Sequence, residues 1–450
     1  MPTPIYDMLR AYAAGNPARF HMPGHKGRFL PGEELAALAA LDVTEIPGAG
    51  NLYKAGAPFD AAQALWAEVF GFSGCQFLTG GSTMGLHTAL SLLCRPGEGL
   101  LMDRGCHRAV YNALALLDLR PVFLERPWLA GESLAGSIPP EQVEKALEEH
   151  PDVKTVCITS PTYSGVLSNI GAISRVVHAR GGRLLVDGAH GAHLPFLGLA
   201  PFWGADAVVV SAHKTLPALG QGALLFTDGL EAEQVRQMAS VYGTSSPSYP
   251  ILASMDLARD FMEGEGGEAY RRVACRVAAL RRRFPALTER SRLSLDPTRL
   301  TLKAKNGPAL ARALEERGVF PEMEDGGHVV LICTAQDEGE NLDRLEKALE
   351  KLRDQLGEGP AVPPPPLPER VLSPRQALFA PGRRRVLADC AGEISACQVA
   401  PYPPGVPVVA PGEVFGKKEL AYLQEIGYNM QTEVQVAGRD SDGAGAAGRK

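Results

Sequence analysis

Between Cys75 and Phe226 the chain alternates short apolar runs with amphipathic helical segments, and few folds accommodate that order. The runs are Cys75-Gln76-Phe77-Leu78, Leu100-Leu101-Met102, Val122-Phe123-Leu124, Val156-Cys157-Ile158-Thr159, Leu184-Leu185-Val186, Ala207-Val208-Val209-Val210 and Ala223-Leu224-Leu225-Phe226. They are too short for helices, and the most uniform of them lack the polar alternation of a half-exposed strand. Residues 84–93, 109–117, 141–149 and 173–179 read as the intervening helices, with Pro139-Pro140 at a helix start that tolerates a missing N–H. This order predicts an α/β fold: a mostly parallel sheet with helices on both faces. The link 211–222 is too short, and too rich in glycine, for a crossover helix, so the strand at Ala223 is expected to enter antiparallel. The expectation is a seven-stranded sheet, parallel except for one strand.

Ligands of such sheets sit beyond the carboxyl ends of the strands. After Val210 comes Ser211-Ala212-His213-Lys214-Thr215, a lysine between an imidazole and a hydroxyl. Partial desolvation weakens an amine's preference for its charged form, and the neutral amine can form a Schiff base. A lone loop lysine is ordinarily just solvated, so its company matters. Thr79-Gly80-Gly81-Ser82-Thr83 opens a helix, either as a phosphate cup or as a plain hydroxyl cap. Asp187 ends the Leu184 strand, where it can keep a cofactor's pyridine nitrogen protonated or simply cap a turn. His107 and His190 read equally as half-buried hydrogen-bonded imidazoles. The ordered set of phosphate loop, imidazole, strand-end Asp and strand-end Lys is harder to dismiss than any member.

Composition narrows the alternatives. The 450 residues are 45% hydrophobic and 21% charged, with a net charge of −6, a pI near 6.0 and a mean hydropathy of −0.05. That is an ordinary globular balance with no basic footprint for nucleic acid. The eight cysteines form no C-x-x-C pair, which suggests reduced thiols in a cytoplasmic protein and neither a disulfide frame nor a metal site. No signal peptide or membrane-length apolar run is apparent. The loop His21-Met22-Pro23-Gly24-His25-Lys26-Gly27 fits no helical metal motif and is expected to dock at a domain or subunit boundary.

The chain resembles the ornithine/lysine/arginine decarboxylases, fold-type I pyridoxal-phosphate enzymes, and in particular their short Gram-positive type. The resemblance runs through Phe20 to Gly27, Thr44-Glu45-Ile46-Pro47-Gly48, Gly81-Ser82-Thr83, His107-Arg108 and Ser160-Pro161-Thr162-Tyr163. It continues in Asp187-Gly188-Ala189-His190-Gly191-Ala192-His193, the Ser211 to Leu219 segment and Thr244-Ser245-Ser246-Pro247-Ser248-Tyr249. It ends in Pro401-Tyr402-Pro403-Pro404-Gly405-Val406-Pro407 with Pro411-Gly412-Glu413. The resemblance implies pyridoxal 5'-phosphate held covalently by Lys214. Ser82, Thr83, Ser211 and His213 would hold its phosphate, His107 would stack on the ring, Asp187 would pair with the ring nitrogen, and His190 would line the other side. It further implies decarboxylation of a basic amino acid, arginine first and lysine or ornithine close behind, by at least a homodimer. Gly188, Glu393 and Cys397 depart from residues common in the family. Another fold-type I enzyme (an aminotransferase, aldolase or lyase) is the alternative. A pyridoxal-phosphate-binding regulator would need a DNA-reading module for which no room precedes His21.

Five segments are expected. Residues 1–290 would form the cofactor-binding domain with an arm at 1–58, and 291–356 a small α/β domain. Residues 357–372 read as a stiff proline-rich linker, 373–435 as a C-terminal domain, and 436–450 as a disordered tail. A charged helical region is expected over 257–283. The substrate's distal cation needs a carboxylate, and the candidates are Asp42, Glu45 and, more weakly, Glu413.

Overall fold

The computed structural model describes residues 1–289, 293–401 and 406–438. Seven strands form the central sheet: β1 (Gly74–Leu78), β2 (Gly99–Asp103), β3 (Arg120–Leu124), β4 (Thr155–Thr159), β5 (Arg183–Asp187), β6 (Ala207–Ser211) and β7 (Ala223–Thr227). Their order across the sheet is β1-β7-β6-β5-β4-β2-β3. Strand β7 runs antiparallel to both neighbours, and β6, β5, β4, β2 and β3 pair in parallel. Every residue of β2, β6 and β7 is buried. That double burial is why these strands carry unbroken apolar runs. Register sets Thr159 beside Asp187, and Asp187 beside Val209. The carboxyl ends of β4, β5 and β6 therefore share one edge.

The helices on the two faces bury separate cores. Ile173 and Val177 of the helix Ile170–Ala179 pack with Val186, Val208 and Phe226. Leu86, Ala89 and Leu90 of Gly81–Leu93 pack on the other face with Leu185, Val209 and Leu225. That second helix starts at Gly81, in a left-handed conformation (φ 69°), and no side chain caps it. Ser82 and Thr83 thus stand within its first turn, not at its cap.

The region 257–283 is not one helix. Tyr249–Phe261 and Gly267–Arg283 are separated by a wide turn at Met262–Gly266, where Gly264 leaves helical geometry (φ −103°, ψ −123°). The Gly264, Gly266, Gly267 cluster lowers the cost of that break. Further along Gly267–Arg283, Val273, Val277 and Leu280 join the core of a small three-stranded sheet that includes Arg299–Lys303 and His328–Ile332. Past the prolines, Gly382–Val386 pairs antiparallel with Glu433–Ala437. Val436 is fully buried in that ribbon, so the expected tail begins too early. Its alternating polar and apolar residues are those of a half-buried strand. Residues 439–450, and the 402–405 part of the proline–tyrosine motif, lie outside the described residues. All eight cysteines are free, and among the described residues no helix is long and apolar enough to cross a membrane.

Candidate active site

A cavity of about 320 Å³ opens over the shared strand edge. Lys214 lines it from a single helical turn, Ala212–Thr215, that follows β6. Its Nζ lies 3.1 Å from His190 Nε2. Burial pushes the Lys214 amine below the usual lysine range, Asp187 and Glu322 pull it back, and Arg299 adds to the lowering. Asp187, 2% exposed, accepts the Ala189 N–H at Oδ1. Burial raises its carboxyl, opposed chiefly by Lys214. His190 stacks at a tilt on Tyr163, with centroids 4.3 Å apart. Its imidazole is driven well below the usual range by burial and then by the cations Lys214 and Arg299. His107 caps the helix Arg108–Leu117 through Nδ1, which accepts the Ala109 N–H at 3.2 Å. Burial, then Lys214 and Arg108, bring its imidazole down to about 4.

Of the residues singled out in the sequence, Ser82, His107, Asp187, His190 and Lys214 line this one cavity. Thr83, Ser211 and His213 do not line it. Ser211 donates to Ser82 Oγ at 3.0 Å, and His213 Nδ1 meets the Gly222 carbonyl at 2.8 Å. Both therefore support the loops around Lys214. Thr83 is exposed.

The outer wall comes partly from the proline run and the Pro401–Pro407 motif, and partly from Trp128, Val408 and Tyr422, which no motif marked. Trp128 belongs to a short hairpin with Leu134 and Ala135, and its Nε1 donates to the Val362 carbonyl. Pro364 and Pro365 line the cavity, so the proline run is extended but docked, and is not a free spacer. Pro401, Val406, Pro407, Val408 and Tyr422 close it from the C-terminal domain. Two arginines also line it, each already neutralised. Arg126 is held by Asp103 at 2.6 Å, and Arg104 makes a two-pronged pair with Glu413 at 2.6 and 2.9 Å.

That pairing corrects one expectation. Glu413, 1% exposed, is already committed to Arg104 and to the Ala410 N–H, so it is not free to meet a substrate cation. Asp42 pairs with His25 at 3.1 Å, and Glu45 accepts from Thr44 at 3.0 Å. Neither lines the cavity of its own chain.

Residues 3–294 match the Orn/Lys/Arg decarboxylase major domain, and residues 364–438 match that family's C-terminal domain. The chain belongs to the Orn/Lys/Arg decarboxylase family. Among relatives of this decarboxylase, the uncharacterized protein YaaO of Bacillus subtilis is 30% identical over 97% of this chain and 96% of its own. An arginine decarboxylase of the same organism is 29% identical over 94% and 93%. The fold is shared with the Francisella novicida lysine decarboxylase LdcF, with a TM-score of 0.83 and 19% identity over 97% of this chain and 81% of that one. The Escherichia coli constitutive lysine decarboxylase gives a TM-score of 0.82 and 20% identity over 97% and 82%.

Gly188, Glu393 and Cys397, which the resemblance marked as departures, each sit in a defined local setting. A Cβ at Gly188 would lie 2.7 Å from the Phe202 ring, so that ring excludes a larger residue. Glu393 pairs with Arg383, and Cys397 packs beside Ser395. None of the three lines the cavity.

Proposed function

We propose that this decarboxylase acts on arginine, with lysine and ornithine as the nearest competitors, and that Lys214 carries pyridoxal 5'-phosphate. The observation that carries the cofactor assignment is the half-buried Lys214 amine beside His190, with Asp187 at the adjoining strand end, and the arginine decarboxylases among the relatives support the substrate. The donor set fits the cofactor. Lys214 offers an amine of lowered basicity to an aldehyde. The uncapped helix start at Gly81, with Ser82, offers amides and a hydroxyl to a phosphate. Asp187 offers a buried carboxylate to a pyridine nitrogen. When bound, the cofactor supplies an electron-accepting ring for the charge left by departing CO₂.

The chain's own residues do the rest. Asp187 would hold a proton at the ring nitrogen, His107 would pack against the ring, and the neutral His190 orients Lys214. With the cofactor and substrate bound, Lys214 would be placed to return a proton to the substrate carbon. The hairpin, the proline run and the C-terminal domain exclude water. An aminotransferase would need an arginine free to hold the α-carboxylate, and the two arginines that line the cavity, Arg104 and Arg126, are both engaged by buried carboxylates.

Asp42 and Glu45 are assigned to a neighbour's site in at least a homodimer. Support comes from the arm that bears them, which leaves Phe20 94% and Phe29 69% exposed. The test is CO₂ release from arginine, lysine and ornithine in parallel. Preference for arginine supports the assignment, preference for lysine or ornithine replaces the substrate, and release from none of the three removes the reading.

A further inference from the structure

Behind Lys214 lies a buried polar chain that the chemistry above does not use. Arg299 enters from the first residue of the small-domain strand Arg299–Lys303 and is 1% exposed. Its NH1 donates to the Tyr163 carbonyl at 3.2 Å and lies 3.5 Å from His190 Nδ1. Its Nε and NH2 are buried without a hydrogen-bond partner, and NH2 stands 3.8 Å from Asp296 Oδ2. Asp296 is in turn held by His193 at 3.1 Å and by the Thr298 N–H and hydroxyl. A guanidinium buried with two unpartnered nitrogens is costly. Asp296 offsets its charge, and the donor that remains is aimed at the imidazole touching Lys214.

We propose that Arg299 is a positioning residue for Lys214, fixing His190 as the tautomer that carries its proton on Nε2. A guanidinium only donates, so the nitrogen facing it must accept. His190 Nδ1 therefore holds the lone pair, and Nε2–H points at the lysine. That N–H donates to the lone pair of a neutral Lys214 amine and opposes an ammonium there. The relay keeps Lys214 in the form that reacts with an aldehyde, and the small domain thereby sets the state of a residue on the large one. The proposal deepens the assignment of Lys214 as the cofactor-bearing residue and rests on it for its functional meaning.

The charged and titratable groups facing the pair come from both domains. Lys214 is faced by Asp187 from β5, Glu322 and Arg299 from the small domain, the imidazoles of His190, His107 and His213, and the Tyr163 ring. His190 is faced by Lys214, Arg299, His107 and His193. Removing Arg299 takes away both a like charge and the donor, so the Lys214 amine rises toward the ordinary lysine range.

The test uses full-length protein stripped of cofactor with hydroxylamine. Nitrogen-15 NMR of histidine-labelled protein, with His190 assigned by its loss in His190→Gln, should find the Nε2–H tautomer. In Arg299→Leu the tautomer should change or become mixed. The pH midpoint for acetylation of Lys214, followed by mass spectrometry, should rise by about one unit in that variant. Arg299→Lys, which retains a cationic donor, should restore the tautomer and much of the midpoint. An Nδ1–H or doubly protonated His190 in the wild type overturns the proposal whether or not any variant folds. So does an unchanged midpoint in folded Arg299→Leu. Borohydride trapping on the untreated holoenzyme reports separately whether Lys214 bears the cofactor, so the two readings fail independently.

Discussion

The floor and the outer wall of the cavity are built in opposite ways. On the floor, Asp187, His190 and Lys214 stand on adjoining strand ends of one sheet, with His107 and Ser82 at the starts of helices packed against it. The wall joins a hairpin, a proline run and a C-terminal domain more than two hundred residues away in sequence, and its ties are scattered side-chain contacts such as Gln398–Asn112, Arg375–Ala115 and Trp128–Val362. Arg104–Glu413 holds the C-terminal domain, while Lys303–Glu132, at 2.7 Å, holds the hairpin to the small sheet. A sheet fixes its strand ends cooperatively, so the floor's geometry comes with the fold. The wall depends on side-chain clasps between segments far apart in sequence, so its geometry does not come with the sheet.

The largest expected effect tests the floor. Asp187→Asn should retain cofactor while kcat falls about 10²–10³-fold, the scale of removing one preorganised electrostatic group. Near wild-type turnover in a folded, loaded variant would reduce Asp187 to a turn residue. Glu413→Gln tests the wall. It leaves Arg104 buried without its counter-charge, so stability should drop by about 3 kcal/mol, read from denaturant unfolding, with KM rising more than kcat falls. Equal loss in kcat would mean that the clasp supports the floor as well.

A pH series separates the regions further. The folded His107 imidazole sits near 4, below its ordinary value of 6.5. Between those values the unfolded chain binds more protons, so stability falls as pH drops through that window. The loss reaches about 3 kcal/mol by its lower end. His107→Gln should flatten that part of the curve in cofactor-free protein, and an unchanged slope would assign the loss to other groups. The smallest effect concerns the proposed third contributor, the neighbouring arm. Glu45→Gln should lower kcat/KM about tenfold for arginine and leave an uncharged amino acid of similar length unaffected. Equal loss for both would move cation recognition elsewhere.

The same contrast explains what the sequence disclosed. Each floor residue lies within four residues of the end of an apolar run or at the start of a helix, so local pattern leads to it, and β7 is antiparallel because its connection is short. Arg104, Arg126 and Arg299 also lie within two residues of an apolar run, but nothing there marks an arginine for a site, and only three-dimensional closure brings them together with Trp128 and Tyr422. Glu413 showed why charge alone misleads. As a bare carboxylate it suited a substrate cation, but its partner, Arg104, lies 309 residues away. The buried ribbon at Glu433–Ala437 was hidden by its glycine- and alanine-rich surroundings, although its own residues alternate as a strand should.

The most direct measurement is borohydride reduction of the purified protein, followed by proteolysis and mass spectrometry of every lysine peptide. Reduction should bleach the visible absorbance and leave the cofactor's mass on Lys214, with Lys214→Ala colourless and unlabelled. Label on any other lysine, or on none, would contradict the assignment of Lys214 as the centre of this site.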